Sequence, residues 1–373
     1  MCKLKKALYG LKQSPRAWFG RFTKAMLNMK YKQSQGDHTL FIKHSASGGV
    51  TALIVYVDDI IVTGNDPDEK EALQKYLAKE FEIKDLGKLK YFLGIEVARS
   101  KEGIFVSQQK YVLDLLKETG KLGCKPSDTP IEPNHRLGES MEGEPVDKGM
   151  YQRLVGKLIY LSHTRPNIAY AVSVVSQFMQ NPKGVHLNAV HRILQYLKGN
   201  PGKGILFRKG TSMELEAYTD ADYTGCATDR RSTSGYCTFI GGNLVTWRSK
   251  KQPVVARSSA EAEFRSMAQG ICELLWLKII LDDLKIKWET PMKLYCDNKS
   301  AINIAHNPVQ HDRTKHVEVD RHFIKEKLES GLICTPYIST ENQLADVLTK
   351  GLMSSAFQKI VGKLGMENIY SPA

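Results

Sequence analysis

The sequence predicts a multidomain protein of mixed α+β / α/β class, on three observations. Its 373 residues suffice for two or three separate cores. An apolar run broken by two acids, Leu53-Ile-Val-Tyr-Val-Asp-Asp-Ile-Ile-Val62, reads as two buried strands around an acidic hairpin turn. From about residue 213 three strand patterns come in succession and then alternate with helices, as in a mixed sheet flanked by helices.

The elements follow in order. A helix is expected around Ala17–Met29, with Pro15 near its start, where proline is tolerated. After the hairpin, Glu69–Glu80 has an amphipathic helical period. Leu89–Ala98 and Gly103–Ser107 read as strands turned by Ser-Lys-Glu-Gly, and Tyr111–Thr119 as a helix. Gly123–Asp147 is rich in Pro, Gly and Glu without periodicity, which marks a connection. Tyr151–Gln180 and Val185–Lys198 read as helices, the first kinked or interrupted at Pro166. Strands are expected at Glu214–Thr219, Gly235–Ile240 and Leu244–Trp247, then a long helix over Ser259–Leu284. The strand Lys293–Cys296, a helix from Asn298, a charged helix at Val317–Ser330, the strand Leu332–Tyr337 and a helix from Glu341 complete the chain.

Charge narrows the partner. The 53 basic residues against 40 acidic ones leave +13. Ten of the basic residues and a single acid, Asp37, lie between Met1 and Val57, interleaved with Tyr9, Trp18, Phe19 and Phe22. Such density favours a polyanion, nucleic acid first, over an ordinary solvated face. Seven cysteines without a C-x-x-C pair argue against a disulfide framework or a zinc site and fit a reducing compartment. The histidines also lack zinc-ligand spacing. No run approaches the ~20 apolar residues of a membrane span, and no charged-then-apolar leader opens the chain. The expectation is a cytoplasmic or nuclear protein, neither secreted nor membrane-bound.

Carboxylates carry the candidate chemistry. Adjacent acids at a hairpin tip repel unless a divalent cation lies between them, so Asp58 and Asp59 suggest a metal-holding turn; a simple polar turn is the local alternative. Four more acids sit at element ends: Asp220 after a strand, Glu261 opening the long helix, Asp297 ending a strand, and Asp346 in the last expected helix. Converging on one sheet edge, they would hold two Mg²⁺ ions ~4 Å apart, with Mn²⁺ as an alternative, for in-line hydrolysis of a phosphodiester. Each also has a local explanation. Asp220 and Asp297 fit turns, Asp346 fits a helix surface, and Glu261, three residues after Ser258, fits a capping box. The order strand-Asp, helix-Glu, strand-Asp, helix-Asp favours a site.

Seven motifs carry a resemblance. They are Leu8-Tyr-Gly-Leu-Lys-Gln-Ser-Pro-Arg-Ala-Trp-Phe19, Tyr56-Val-Asp-Asp59, Tyr91-Phe-Leu-Gly-Ile-Glu96, Asp229-Arg-Arg-Ser-Thr-Ser-Gly-Tyr236, Ser258–Glu263, Arg313-Thr-Lys-His316 and Ala345-Asp-Val-Leu-Thr-Lys350. In this order the chain resembles the C-terminal part of a copia-type LTR retrotransposon Pol polyprotein of plant type. The resemblance implies a partial reverse transcriptase palm at 1–107, thumb and connection at 108–212, and a ribonuclease H-like domain at 213–373. It matches Asp58 and Asp59 to the polymerase's metal-binding pair, and Tyr9 and Gly10 to the segment contacting nucleotide and template. It matches Asp220, Glu261, Asp297 and Asp346 to the ribonuclease H metal ligands, with Asp222 the alternative to Asp220 on the same strand face.

The family pattern requires a third polymerase carboxylate upstream of Leu8, where only seven residues stand, and Asp37 reads as a turn residue. Polymerisation by this chain alone is therefore not expected, because two carboxylates do not fix a two-metal geometry. The expected activity is cleavage of the RNA strand of an RNA–DNA hybrid, one metal ion activating water and the other stabilising the leaving 3′ oxygen. Arg230, Arg231, Lys250, Lys251, Arg313, Lys315 and His316 are the candidate phosphate contacts. The rival expectation is a non-catalytic nucleic-acid-binding remnant.

Overall fold

A computed structural model describes residues 12–135, 137–138, 144–210, 212–225, 228–307 and 318–369. The chain divides into two compact units, Met1–Leu89 with Leu275–Lys287, and Lys90–Leu274 with Trp288–Ala373. Among the described residues no helix is long and apolar enough to cross a membrane.

The first unit contains α1 (Ser14–Asn28), the strands β1 (Lys32–Gln33), β2 (Leu40–His44), β3 (Val50–Tyr56) and β4 (Asp59–Gly64), and α2 (Pro67–Glu80). The strands form one antiparallel sheet in chain order. Phe22 and Met26 of α1 and Leu73 and Leu77 of α2 pack with Phe41 and Leu53 of the sheet in one buried core. Proline in the first turn starts both helices, and the Asp66 side chain caps α2 by accepting from the Glu69 N–H at 3.0 Å.

The expected hairpin is present, with two differences. Tyr56 pairs with Asp59, so the two-residue turn is Val57-Asp58 rather than Asp58-Asp59. Val57 takes φ +52°, the left-handed region that a β-branched residue occupies only at a cost. The strands are also not both buried. β3 alternates, exposing Ile54 and Tyr56, and most of β4 is exposed or half-buried. Asp37 lies in a turn as expected, its Oδ1 accepting from the Thr39 N–H at 2.8 Å and hydroxyl at 2.7 Å.

The second unit holds two five-stranded sheets. One contains β5 (Tyr91–Phe92), β6 (Ile95–Arg99), β7 (Gly103–Ser107), β8 (Lys203–Arg208) and a last strand, Met366–Asn368, in the order last-β8-β7-β6-β5. It thus joins residues from all three expected segments. Helices α3 (Gln109–Glu118), α4 (Lys148–Leu161), α5 (Pro166–Ser176) and α6 (Gly184–Gly199) contribute to its apolar core. The long helix expected over Tyr151–Gln180 is two helices. Pro166 opens α5, because the residue before a proline disfavours helical backbone.

The other sheet has β9 (Glu214–Asp222) at its centre. β10 (Thr233–Ile240) and β11 (Asn243–Lys251) lie antiparallel on one side; β12 (Glu289–Tyr295) and β13 (Ile333–Cys334) lie parallel on the other. Helices α7 (Ser259–Asp283), α8 (Lys299–His306), α9 (Glu318–Glu329) and α10 (Ser354–Lys363) accompany it. The helix expected from Glu341 is instead a pair of 3-10 turns, Thr340–Asn342 and Leu344–Leu348, and α10 begins only at Ser354. Leu344, Val347 and Leu348 are buried in the core, so packing adds to the turn's own bonds, such as the Thr349 N–H donating to the Asp346 carbonyl at 3.2 Å.

A candidate carboxylate metal centre

Parallel register brings the first two acids together. Tyr218 of β9 pairs with Tyr295 of β12, so Asp220 and Asp297, two residues further on, emerge side by side. Asp220 pairs across the other edge with Gly235 of β10. A Cβ at Gly235 would lie 2.6 Å from Thr349 Cγ2 and 2.8 Å from Leu348 Cβ, so the glycine lets the segment bearing Asp346 approach. Gln343, fully buried, ties the same segment to the strand by donating to the Thr219 carbonyl at 3.0 Å. The Thr349 hydroxyl donates to the Asp220 carboxylate. Carboxylate oxygens of Asp220, Asp297 and Asp346 consequently lie within 4.8 Å of one another.

Helix α7 brings a glutamate, but not the expected one. Glu261 is occupied locally: its Oε2 accepts from the Arg257 N–H at 2.8 Å, its Oε1 pairs with Arg265 Nη2 at 3.0 Å, and its own N–H donates to Ser258 Oγ at 3.2 Å. The capping explanation accounts for it. Glu263 stands about 200° further round the helix and faces the cluster. It is 6% exposed and its Oε2 has no hydrogen-bond partner. A Glu263 carboxylate oxygen lies within 4.8 Å of Cys296 Sγ and an Asp297 oxygen. Ser266, one turn on, fixes the helix against the sheet by donating to the carbonyls of Asp220 (2.8 Å) and Gly235 (3.2 Å). At Gly270 a Cβ would meet Thr219 Cγ2 at 2.5 Å, so this face of α7 must be small. Glu263, Ser266 and Gly270 follow one another at helical spacing, but only their contacts with the sheet mark that face of α7 as the inner one.

The electrostatics are those of acids crowded without enough positive charge. Burial first, then Asp220 and Asp297, raises the Glu263 pKa far above the usual carboxylate range. Burial and Asp220 raise Asp346, with Lys350 pulling it partly back. Asp222, the alternative to Asp220, is pushed up to about 6 by burial and joins no metal-ligating group among the described residues. Lys350, not singled out from the sequence, places Nζ 3.0 Å from Asp346 Oδ1 and 3.4 Å from Asp220 Oδ2. Burial lowers its pKa, but the two carboxylates outweigh burial and hold it above its ordinary value. An all-oxygen donor set with an orphaned buried carboxylate oxygen fits a hard divalent cation.

The other expected residues are dispersed. Asp58 and Asp59 are exposed at the hairpin and join no group of three metal-ligating side chains among the described residues. Arg230 and Lys250 are exposed, whereas Arg231 and Lys251 both pair with Asp229, at 2.6 and 2.9 Å. Tyr9, Gly10, Arg313, Lys315 and His316 lie outside the described residues.

Residues 1–133 match the family model of the reverse transcriptase (RNA-dependent DNA polymerase). That segment gives the class: Pol-type chains that carry a reverse-transcriptase region. The retrovirus-related Pol polyprotein from transposon RE1 of Arabidopsis thaliana is 43% identical over 99% of this chain and 25% of its own length. A putative transposon Ty5-1 protein of Saccharomyces cerevisiae is 33% identical over 72% of this chain and 87% of its own length. The chain belongs to the copia-type retrotransposon Pol family. It spans about a quarter of the length of the first curated relatives it matches. A ribonuclease H1 isolated from compost, LC11-RNase H1, aligns over 40% of this chain and 99% of that chain, with 17% identity and a TM-score of 0.28.

Proposed function

We propose that the second unit of this Pol chain is a metal-dependent ribonuclease H acting on the RNA strand of RNA–DNA hybrids, with Asp220, Glu263, Asp297 and Asp346 as its metal ligands. One observation carries the reading: three buried or half-buried aspartates converge within 4.8 Å beside a glutamate whose buried oxygen has no partner. Unpaired buried carboxylates are costly, and divalent cations are the partners that make such a cluster stable.

Bound Mg²⁺, or Mn²⁺, supplies the Lewis acid that activates water and stabilises the leaving 3′ oxygen. The chain's own residues do the rest. The parallel strands β9 and β12 set the spacing of Asp220 and Asp297, and the Thr349 and Thr340 hydroxyls hold their carboxylates by donating to them. Lys350 carries the positive charge that steadies Asp220 and Asp346 and helps draw a phosphodiester to the edge of the cluster. Arg230 and Lys250 offer exposed positive charge for the nucleic-acid backbone. Asp58 and Asp59 are assigned no step, since they join no group of three metal-ligating side chains among the described residues.

The test is cleavage of a labelled RNA–DNA hybrid in Mg²⁺ by the wild type and by Asp220→Asn, Glu263→Gln and Glu261→Gln. Cleavage lost in the first two and kept in the third is expected. Activity surviving Glu263→Gln but not Glu261→Gln would reverse the glutamate assignment. Salt-sensitive binding without cleavage would select a non-catalytic remnant.

A further inference from the structure

Among the described residues, Cys296 is the one soft donor against this cluster. It is fully buried at the end of β12, and its Sγ accepts from the Asn298 N–H at 3.4 Å. Cys296 Sγ, a Glu263 oxygen and an Asp297 oxygen lie within 4.8 Å of one another. Glu263 is 6% exposed, and its Oε2 has no partner. Two donors on one tetrahedral Zn²⁺ stand roughly 3.6 Å apart, for bonds of about 2.0–2.3 Å. The three atoms therefore need to close by no more than about an ångström. Asp297 is half-exposed, which opens the group to solvent.

We propose that Cys296, Glu263 and Asp297 form a mixed thiol–carboxylate site for a thiophilic divalent cation such as Zn²⁺, and that its occupancy takes two carboxylates away from Mg²⁺. Sulfur prefers Zn²⁺ or Cd²⁺, whereas Asp220, Asp297 and Asp346 offer only oxygen and suit a hard ion. On binding, the Cys296 S–H bond is exchanged for a metal–sulfur bond, and its proton, with the proton of the buried Glu263 carboxyl, leaves to solvent. No electron is transferred. The consequence is metal competition: thiophilic ions inhibit the chain by holding Glu263 and Asp297 in a second arrangement. The competition clause rests on the ribonuclease H reading; the binding clause does not.

Cd²⁺ is the probe, because a cadmium–thiolate bond gives an ultraviolet charge-transfer band. The full chain is titrated with Cd²⁺ as wild type, Cys296→Ala, Glu263→Gln and, as a control for another buried thiol, Cys237→Ala. Expected are a saturable band and a raised melting temperature in the wild type and in Cys237→Ala. Cys296→Ala should lose both, and Glu263→Gln should weaken Cd²⁺ binding by ~10-fold or more. Excess Mg²⁺ should shift the Cd²⁺ titration to higher concentration. A band of equal strength in Cys296→Ala, or one indifferent to both Glu263→Gln and Mg²⁺, overturns the proposal. The expected Cd²⁺ behaviour in a chain that cleaves no hybrid would leave the site standing and sink the ribonuclease reading. Asp220-dependent cleavage without the Cys296-dependent band would do the reverse.

Discussion

Replacing Glu263 by glutamine is expected to stabilise the metal-free protein while weakening its response to Mg²⁺. The side chain is 6% exposed, Oε2 is unpartnered, and burial with Asp220 and Asp297 raises its pKa well above neutrality. Without metal at about pH 7.5, folding must protonate this carboxyl or bury its charge. Protonating a group whose ordinary value is 4.5 costs about 4 kcal/mol at that pH, at 1.36 kcal/mol per unit. Glutamine keeps the shape without that cost, so a gain of roughly 2–4 kcal/mol is expected. The sign follows from the raised folded pKa. The folded state binds the extra proton, so the penalty is absent below about pH 4.5 and grows as pH rises towards the folded value. Urea denaturation in chelator should show a gap of roughly 1 kcal/mol near pH 5.5, widening to about 4 near pH 7.5. Added Mg²⁺ should stabilise the wild type more than the variant. A variant less stable than wild type in chelator, or a gap that does not change with pH, would refute the reasoning.

Three further outcomes are expected. Arg165 is 1% exposed; its Nε donates to Asn167 Oδ1 at 3.2 Å, its Nη1 donates to the Asn200 carbonyl, and its Nη2 is unpartnered. Asn167 Nδ2 also donates to the Tyr196 hydroxyl. Asn167→Asp reverses that bond, the hydroxyl becoming the donor, and gives Arg165 a charged acceptor at the start of α5, so a melting temperature higher by ~2–4 °C is expected; a fall would contradict it. Gly235→Ala places a Cβ against Thr349 and Leu348 and should displace the Asp346 segment, lowering stability by about 1–3 kcal/mol and hybrid cleavage by ~100-fold. Wild-type kcat in that variant would show the close approach to be dispensable. Arg230→Ala with Lys250→Ala should flatten the slope of log affinity against log salt by about 1–2, and equal slopes would remove both from the nucleic-acid backbone.

Much of the fold was legible because its signals are local. Prolines at helix starts, such as Pro15 and Pro166, and an apolar run broken by two acids at the hairpin each act within a few residues. Elements whose stability comes from elsewhere were not legible. β8 has partners near residues 104 and 366, and Leu344–Leu348 is held by buried apolar contacts rather than by its own period.

The sequence by itself determined the family, through motifs in a fixed order along the chain, and three of the four clustered acids, because strand ends and the final acidic motif announce themselves. Only the tertiary structure decided the fourth. Glu261 and Glu263 are two residues apart and equally acidic, but one is consumed by the helix start and Arg265, and the other is turned into the sheet. Lys350 and Cys296 entered the site for the same reason: helical phase, sheet register and close packing at Gly235 place side chains that local sequence leaves undirected.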